Sequence, residues 1–273
     1  MLFRYITYSV LMKILKGNAM KILAIGDLIG QSGLNKLKKE LPNIQEAENI
    51  DFTIVNAENV AGGMGISKSD YSELCKLSID VLTMGNHTWG KKDIFTFINN
   101  SNIIRPANYS KGVPGKGFTI IQKNDRKIAV INLIGRTDMS VLSNNPFTTV
   151  ENIIKNIEAD CIIVDFHAEA TAEKIAMGYF LDGKVSAIFG THTHVQTADE
   201  QILKKGTGFI TDIGMTGPIN SVIGMDIDTS LRRFLTSIPE RYKLAEGDCK
   251  LNGVVFEIDE KNGKTKKLYR IVC

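Results

Sequence analysis

The chain has 273 residues, of which 43% are hydrophobic, 23% charged and 7% aromatic. That length buries a substantial core in one large domain or two small ones, and a total of 6 prolines with no like-charge block excludes a disordered chain. No apolar run of about 18 residues is present to span a membrane, and Arg4, Lys13 and Lys16, with no acid among residues 1–19, account for the formal charge of +3, so composition gives no case for a nucleic-acid surface.

Residues 1–19 read as a leader or extension outside the core, because a clean strand pattern begins at Met20. From there apolar runs and helical stretches alternate. MKILAIG (20–26) precedes a Lys/Leu-rich helix reaching about Glu48, and DFTIVNAEN (51–59) ends in the glycines at 62, 63 and 65. SKSDYSELCKLS is a helix capped by Ser67, IDVLTMGNH (79–87) is a third run, and KKDIFTFINN is helical. Short buried strands separated by helices imply βαβ units and a largely parallel sheet. The segment 117–135, with KNDR as its turn, reads as a β-hairpin. A helix near 148–158, the strand CIIVDFH (161–167), the helix TAEKIAMGYFL and the strand VSAIFGTHTH (185–194) follow. GFITDIG (208–214) is another strand, and NGVVFEID with TKKLYRIV closes the chain as an antiparallel pair. The expected fold is α/β: two mixed β-sheets packed as a sandwich, with helices outside, forming a single domain over 20–273.

The four cysteines, Cys75, Cys161, Cys249 and Cys273, form no CxxC pair, which points to a reducing compartment. The polar residues are placed more tellingly. Asp27 follows the first strand, Glu58-Asn59 the second, Asn86-His87 the third, His167 the next, and His192 and His194 the one after. Ligands of α/β sheets bind outside the carboxyl ends of the strands, so these residues are expected on one rim. All 4 histidines of the chain lie there. Imidazoles with carboxylates suit iron, manganese or zinc rather than magnesium. Asp27, Glu58, Asn59, Asn86, His167, His192 and His194 are too many for one tetrahedral zinc and suit two adjacent ions sharing a carboxylate, a recurring arrangement for phosphoester hydrolysis.

The order GD … GNH … H … GxHxH, with the HxH late in the chain, resembles the calcineurin-like metallophosphoesterases. Met20-Lys-Ile-Leu-Ala-Ile-Gly-Asp27, Asn56-Ala-Glu-Asn59, Gly85-Asn-His-Thr-Trp-Gly90, Arg105-Pro-Ala-Asn108, Gly190-Thr-His-Thr-His-Val-Gln-Thr-Ala-Asp199 and Thr211-Asp-Ile-Gly-Met-Thr-Gly-Pro218 are similar to the YmdB-like branch. The resemblance implies a four-layer α/β/β/α sandwich and a dinuclear phosphodiesterase acting on 2′,3′-cyclic nucleotides such as 2′,3′-cAMP. It implies two divalent or trivalent transition ions, iron first, with manganese or zinc as alternatives. One ion would take Asp27, Glu58, Asn59 and His194; the other would take Glu58, Asn86, His167 and His192. Asn59 would replace the histidine that most metallophosphoesterases carry two residues after the first Asp, where this chain has Ile29. A metal-bridging hydroxide would attack phosphorus, and His87 would be the proton donor. The alternatives are a phosphomonoesterase or RNA-end nuclease of the same fold, or a metal- and nucleotide-binding regulator with little turnover.

The expected partner is a small nucleotide phosphodiester. A membrane is not expected, RNA is not indicated by the charge, and a cytoplasmic homo-oligomer is anticipated. Gly62-Gly-Met-Gly65 either cradles a phosphate or, since no P-loop lysine follows, forms a flexible turn, and the turn is the preferred reading. Thr211–Pro218 either walls the site or turns tightly. Trp89 either stacks on a base or packs beneath the Asn86-His87 loop. Removal of residues 1–19 should leave soluble, active protein; loss of solubility on truncation would place the leader inside the domain.

Overall fold

The computed structural model describes residues 19–123, 125–241 and 243–273. The leader proposed for 1–19 therefore lies outside the described residues except for Ala19, which opens β1 (Ala19–Ile25) opposite Asp259. After β1 come β2 (Asp27–Leu28), α1 (Gly30–Ala47), β3 (Phe52–Asn56), α2 (Lys68–Leu74), β4 (Val81–Thr83) and β5 (Ile103–Ile104). The hairpin is β6 (Phe118–Lys123) with β7 (Arg126–Ile134), paired Lys123 to Arg126, and Asn124 of its turn is outside the described residues. Then follow α3 (Pro146–Lys155), β8 (Cys161–His167), α4 (Thr171–Leu181), β9 (Ala187–Thr191), β10 (Gln201–Ile202), β11 (Gly208–Ile210) and β12 (Met215–Pro218). The chain ends with α5 (Ile227–Thr236), β13 (Cys249–Lys250), β14 (Asn252–Asp259) and β15 (Thr265–Val272).

Two six-stranded mixed sheets result, in the orders β15-β14-β1-β3-β4-β5 and β10-β11-β9-β8-β7-β6. Side-chain alternation along each strand explains the layering, because neighbouring residues face opposite sides. In β1, Ile22 and Ala24 join Phe52 and Ile54 between the sheets, where Val130, Ile163 and Phe189 meet them. The alternate residues Leu23 and Ile25 face outward onto Leu34, Leu37 and Leu41 of α1. Likewise Val164 and Phe166 of β8 face outward onto Val150 of α3 and Met177 and Leu181 of α4. The α/β/β/α layers follow from four buried faces, each about one side chain thick.

Several elements differ from the sequence reading. KKDIFTFINN forms two short 3-10 turns, Lys92–Thr96 and Ile98–Asn100, rather than an α-helix. The α3 helix starts earlier than expected because Asn145 caps it, accepting from the amides of Phe147 and Thr148, with Pro146 in the first turn. Ser67 does cap α2, in a reciprocal capping box with Asp70. The strand expected over 185–194 ends at Thr191, and the one over 208–214 ends at Ile210. The α5 helix and a third, three-stranded sheet, β13-β12-β2, were not foreseen. Among the described residues no helix is long and apolar enough to cross a membrane.

The parallel strands β1, β3 and β4 of one sheet and β8 and β9 of the other place their carboxyl ends along a common edge. The polar residues that close those runs meet there.

Candidate metal centre

Each candidate ligand sits just past, or at the last residue of, a buried strand. Asp27 opens β2, Glu58 and Asn59 follow β3, Asn86 and His87 follow β4, His167 ends β8, and His192 and His194 follow β9. The structure brings these eight residues together. Six of them, all but Asp27 and His167, line a cavity of about 360 Å³, and those two lie buried directly behind its wall.

Two groups form around Glu58. In the first, His167 Nε2 lies 3.0 Å from Glu58 Oε1 and 2.9 Å from Asn86 Oδ1. Glu58, His167 and His192 offer ligand atoms that all lie within 4.8 Å of one another. In the second, His194 Nε2 is 3.8 Å from Asp27 Oδ1 and accepts from Asn59 Nδ2 at 3.2 Å. Asn59 also donates to Glu58 Oε1 at 3.4 Å, which links the groups. With its Oδ1 on His87 Nδ1 at 2.7 Å, Asn59 turns its nitrogen toward His194. Its amide must rotate to serve as an oxygen ligand. Gly85 makes the close approach feasible: a Cβ there would lie 2.3 Å from the His167 ring and 2.5 Å from Glu58 Oε2.

Burial sets the electrostatics. Asp27 and Glu58 are fully buried carboxylates. Burial pushes the Asp27 carboxyl upward, opposed by the imidazoles of His194 and His167. For Glu58 burial works in the same direction, but His167 beside it prevails and holds the group at about 2. Burial would lower His167, yet Glu58 beside it prevails and raises the group to about 9. His192 is pushed down to about 3 by burial and by His167. Asp27 Oδ1 has no hydrogen-bond partner, although it is buried and faces two imidazoles. A buried carboxylate oxygen left without a donor is costly in an apolar interior. Carboxylate, imidazole and amide groups around it match the donor set of a borderline transition ion. The residues fit such a cation.

Other residues hold the histidines, and the sequence reading did not include them. His167 Nδ1 donates to Thr191 Oγ1 at 2.8 Å, and Thr191 donates to Asp165 Oδ1 at 2.7 Å. Burial raises Asp165 to about 6. The relay leaves His167 Nε2 directed at Glu58. Glu169 Oε2 lies 3.1 Å from His192 Nε2, and the carbonyl of Ile223 accepts from His194 Nδ1 at 2.8 Å. A polar residue inside the apolar run CIIVDFH was the available signal for Asp165; nothing local marks Ile223.

The HxH segment is bent, with His192 at φ +97° and His194 at φ +65°. Non-glycine residues rarely adopt this region. Thr193 between them is fixed by Asp212 Oδ2, which accepts from its amide at 3.2 Å and its hydroxyl at 2.7 Å. Lys174, 2% exposed, donates to the same oxygen at 2.7 Å. Asp212 belongs to the Thr211–Pro218 motif, which therefore braces the site from behind. Gly62 and Gly63 line the cavity. Trp89 instead stacks on Phe95 at 5.1 Å and packs against the outer core.

Two face-to-face mixed sheets with acid, amide and imidazole groups at their carboxyl edge define a sandwich of the metallophosphoesterase type. The chain belongs to the YmdB-like protein family, whose model matches residues 23–271. It is 47% identical over 256 residues to the 2′,3′-cyclic-nucleotide 2′-phosphodiesterase of Bacillus subtilis strain 168, covering 93% of this chain and 97% of the relative. A crystal structure of a novel phosphatase from Mycoplasma pneumoniae superposes with a TM-score of 0.90 at 38% identity, covering 94% of each chain. A hypothetical protein from Thermus thermophilus gives 0.89 at 35% identity, covering 93% of this chain and 99% of that one.

The brace can be checked by denaturation. Lys174→Met leaves the Asp212 carboxylate buried without its cation and should cost about 3–5 kcal/mol. Adding Asp212→Asn to it should restore part of that loss. A single variant with an unchanged denaturation midpoint would show the pair to be dispensable.

Proposed function

We propose that this chain is a metal-dependent phosphodiesterase that opens 2′,3′-cyclic nucleotides, using two transition ions held at the strand-end cluster. Supporting this reading is the convergence of two acid–imidazole–amide groups on one buried carboxylate, Glu58, beside an open cavity. Asp27, Asn59 and His194 would hold one ion, Asn86, His167 and His192 the other, with Glu58 shared. Iron is the first candidate and manganese or zinc the alternatives, given the mixed nitrogen and oxygen donors. Such ions, when bound, supply positive charge to phosphoryl oxygens and lower the pKa of water.

The remaining work falls to the chain's own groups. Glu58 accepts the backbone amide of His87 at 2.9 Å, which anchors the loop carrying the proton donor. His87 is partly exposed to the cavity, and its Nδ1 is engaged by the Asn59 amide at 2.7 Å, through the oxygen here and through the nitrogen once that amide has turned its oxygen to an ion. The proton it can exchange is therefore on Nε2. Protonated there, His87 serves as general acid to the departing alkoxide. The name of the Bacillus subtilis relative specifies the 2′ bond; breakage of that bond here would leave a nucleoside 3′-phosphate. Four free cysteines suit the reducing, cytoplasmic setting that this reading includes.

Metal analysis paired with kinetics tests the assignment. Wild-type protein should carry two ions per chain and open 2′,3′-cAMP, and Glu58→Gln should lose metal from both positions. His87→Ala should keep both ions while kcat falls by about 10²–10⁴-fold. That loss should shrink for a nitrophenyl ester, whose leaving group needs little protonation. Full metal content and turnover in Glu58→Gln would sink the shared-carboxylate assignment, and loss of metal in His87→Ala would make it a ligand or a structural residue.

A further inference from the structure

Residues 222–225 form a tight two-residue turn. The amide of Val222 donates to the Met225 carbonyl at 2.9 Å, and the amide of Met225 donates back to Val222 at 2.9 Å. Its two central residues both have positive φ, +48° at Ile223 and +98° at Gly224, the pattern of a type I′ turn. Such turns favour Asn-Gly or Asp-Gly, because asparagine and aspartate tolerate the left-handed region. Here a β-branched residue occupies the first position, where it is conformationally disfavoured. Turn chemistry does not account for that choice, nor does core packing, since the Ile223 side chain is 47% exposed.

The cavity does account for it. The Ile223 carbonyl fixes His194, so the turn must keep this backbone shape whatever side chain it carries. Ile223 belongs to the cavity wall, together with Met225 and Met64. The tip of Met225 reaches close to the loop bearing Met64, for a Cβ on Gly63 would lie 3.6 Å from its Cε. The cavity wall therefore has a polar part, where carboxylate, amide and imidazole groups meet, and an apolar part made of two methionines and an isoleucine. A nucleoside cyclic phosphate has the same division, with a phosphodiester at one end and a flat apolar face at the other.

We infer that Met64, Ile223 and Met225 form the nucleobase subsite, taking the base by its face rather than by its edge. The inference rests on the phosphodiesterase reading above and extends it to base selectivity. Thioethers adapt to flat rings of different size. None of these three side chains offers a strong hydrogen-bond donor or acceptor, so base edges are not read there. The enzyme should accept all four 2′,3′-cyclic nucleotides with kcat/KM values within about 200-fold of one another, the range that apolar contact alone discriminates.

Ile223→Asn and Ile223→Val separate the side chain from the turn. Asparagine suits the turn, so Ile223→Asn should melt at or above the wild-type temperature and retain its metal content. Its KM should nevertheless rise about tenfold for every base, with a smaller change in kcat. Ile223→Val keeps an apolar wall and should hold KM near the wild-type value. An unchanged KM in Ile223→Asn overturns the subsite, as does a wild-type preference for one base well beyond about 200-fold. Metal loss in Ile223→Asn would also overturn it, since the side chain would then serve the ligand cluster. Absence of turnover on any cyclic nucleotide by metal-loaded wild-type protein would instead defeat the underlying functional reading, and this inference with it.

Discussion

Two carboxylates, Asp27 and Glu58, are buried at the meeting edge of two apolar sheets, and much of the surrounding structure answers to that fact. A buried anion is tolerated only with a positive partner and donors for its lone pairs. Glu58 has His167, an amide from Asn59 and the backbone of His87. Asp27 has less: the amide of His192 satisfies Oδ2, and Oδ1 is left facing imidazoles. The bend of the HxH segment is what carries that amide to Asp27, and Asp212 with Lys174 maintains the bend from the opposite side.

The apolar sandwich and the polar rim thus serve one another. Strands end where ligand-type residues begin, because a charged group within the sandwich would lie between hydrophobic faces without compensation. Asp165 is the exception that tests the rule. It sits inside β8, fully buried, but Thr191 and Asn56 supply donors to its two oxygens. It stands behind a histidine rather than at the cavity, as an outer partner of a ligand is expected to do.

Much of this was legible in the sequence. The strand ends could be read because period and burial are local properties, and each run closed on Asp27, Glu58, Asn86, His167 or His192. The sandwich followed from the mixture of crossovers with a hairpin. What escaped depends on partners far apart in the chain. Asp212 acquires meaning only beside Lys174 and Thr193, and Glu169 only beside His192. The small sheet β13-β12-β2 has strands of two to four residues, too short to show a period. The KKDIFTFINN segment misled because its apolar spacing fits either an α-helix or the tighter 3-10 turns it adopts. Ile223 was invisible for the opposite reason: a β-branched residue is the last one that local propensity places at a left-handed turn.

The contact between the amide of His192 and Asp27 joins positions 165 residues apart. It is made between segments that follow β1 and β9, strands of different sheets, so it needs the two sheets packed face to face. The cluster therefore reports on completed folding of the whole sandwich. Loop closure over such a span is slow, so the apolar faces of the sheets are exposed for longer while the chain folds. A cation that binds only the finished cluster would draw the equilibrium toward the folded chain by mass action. The availability of metal would then govern how long the protein persists, as well as whether it is active.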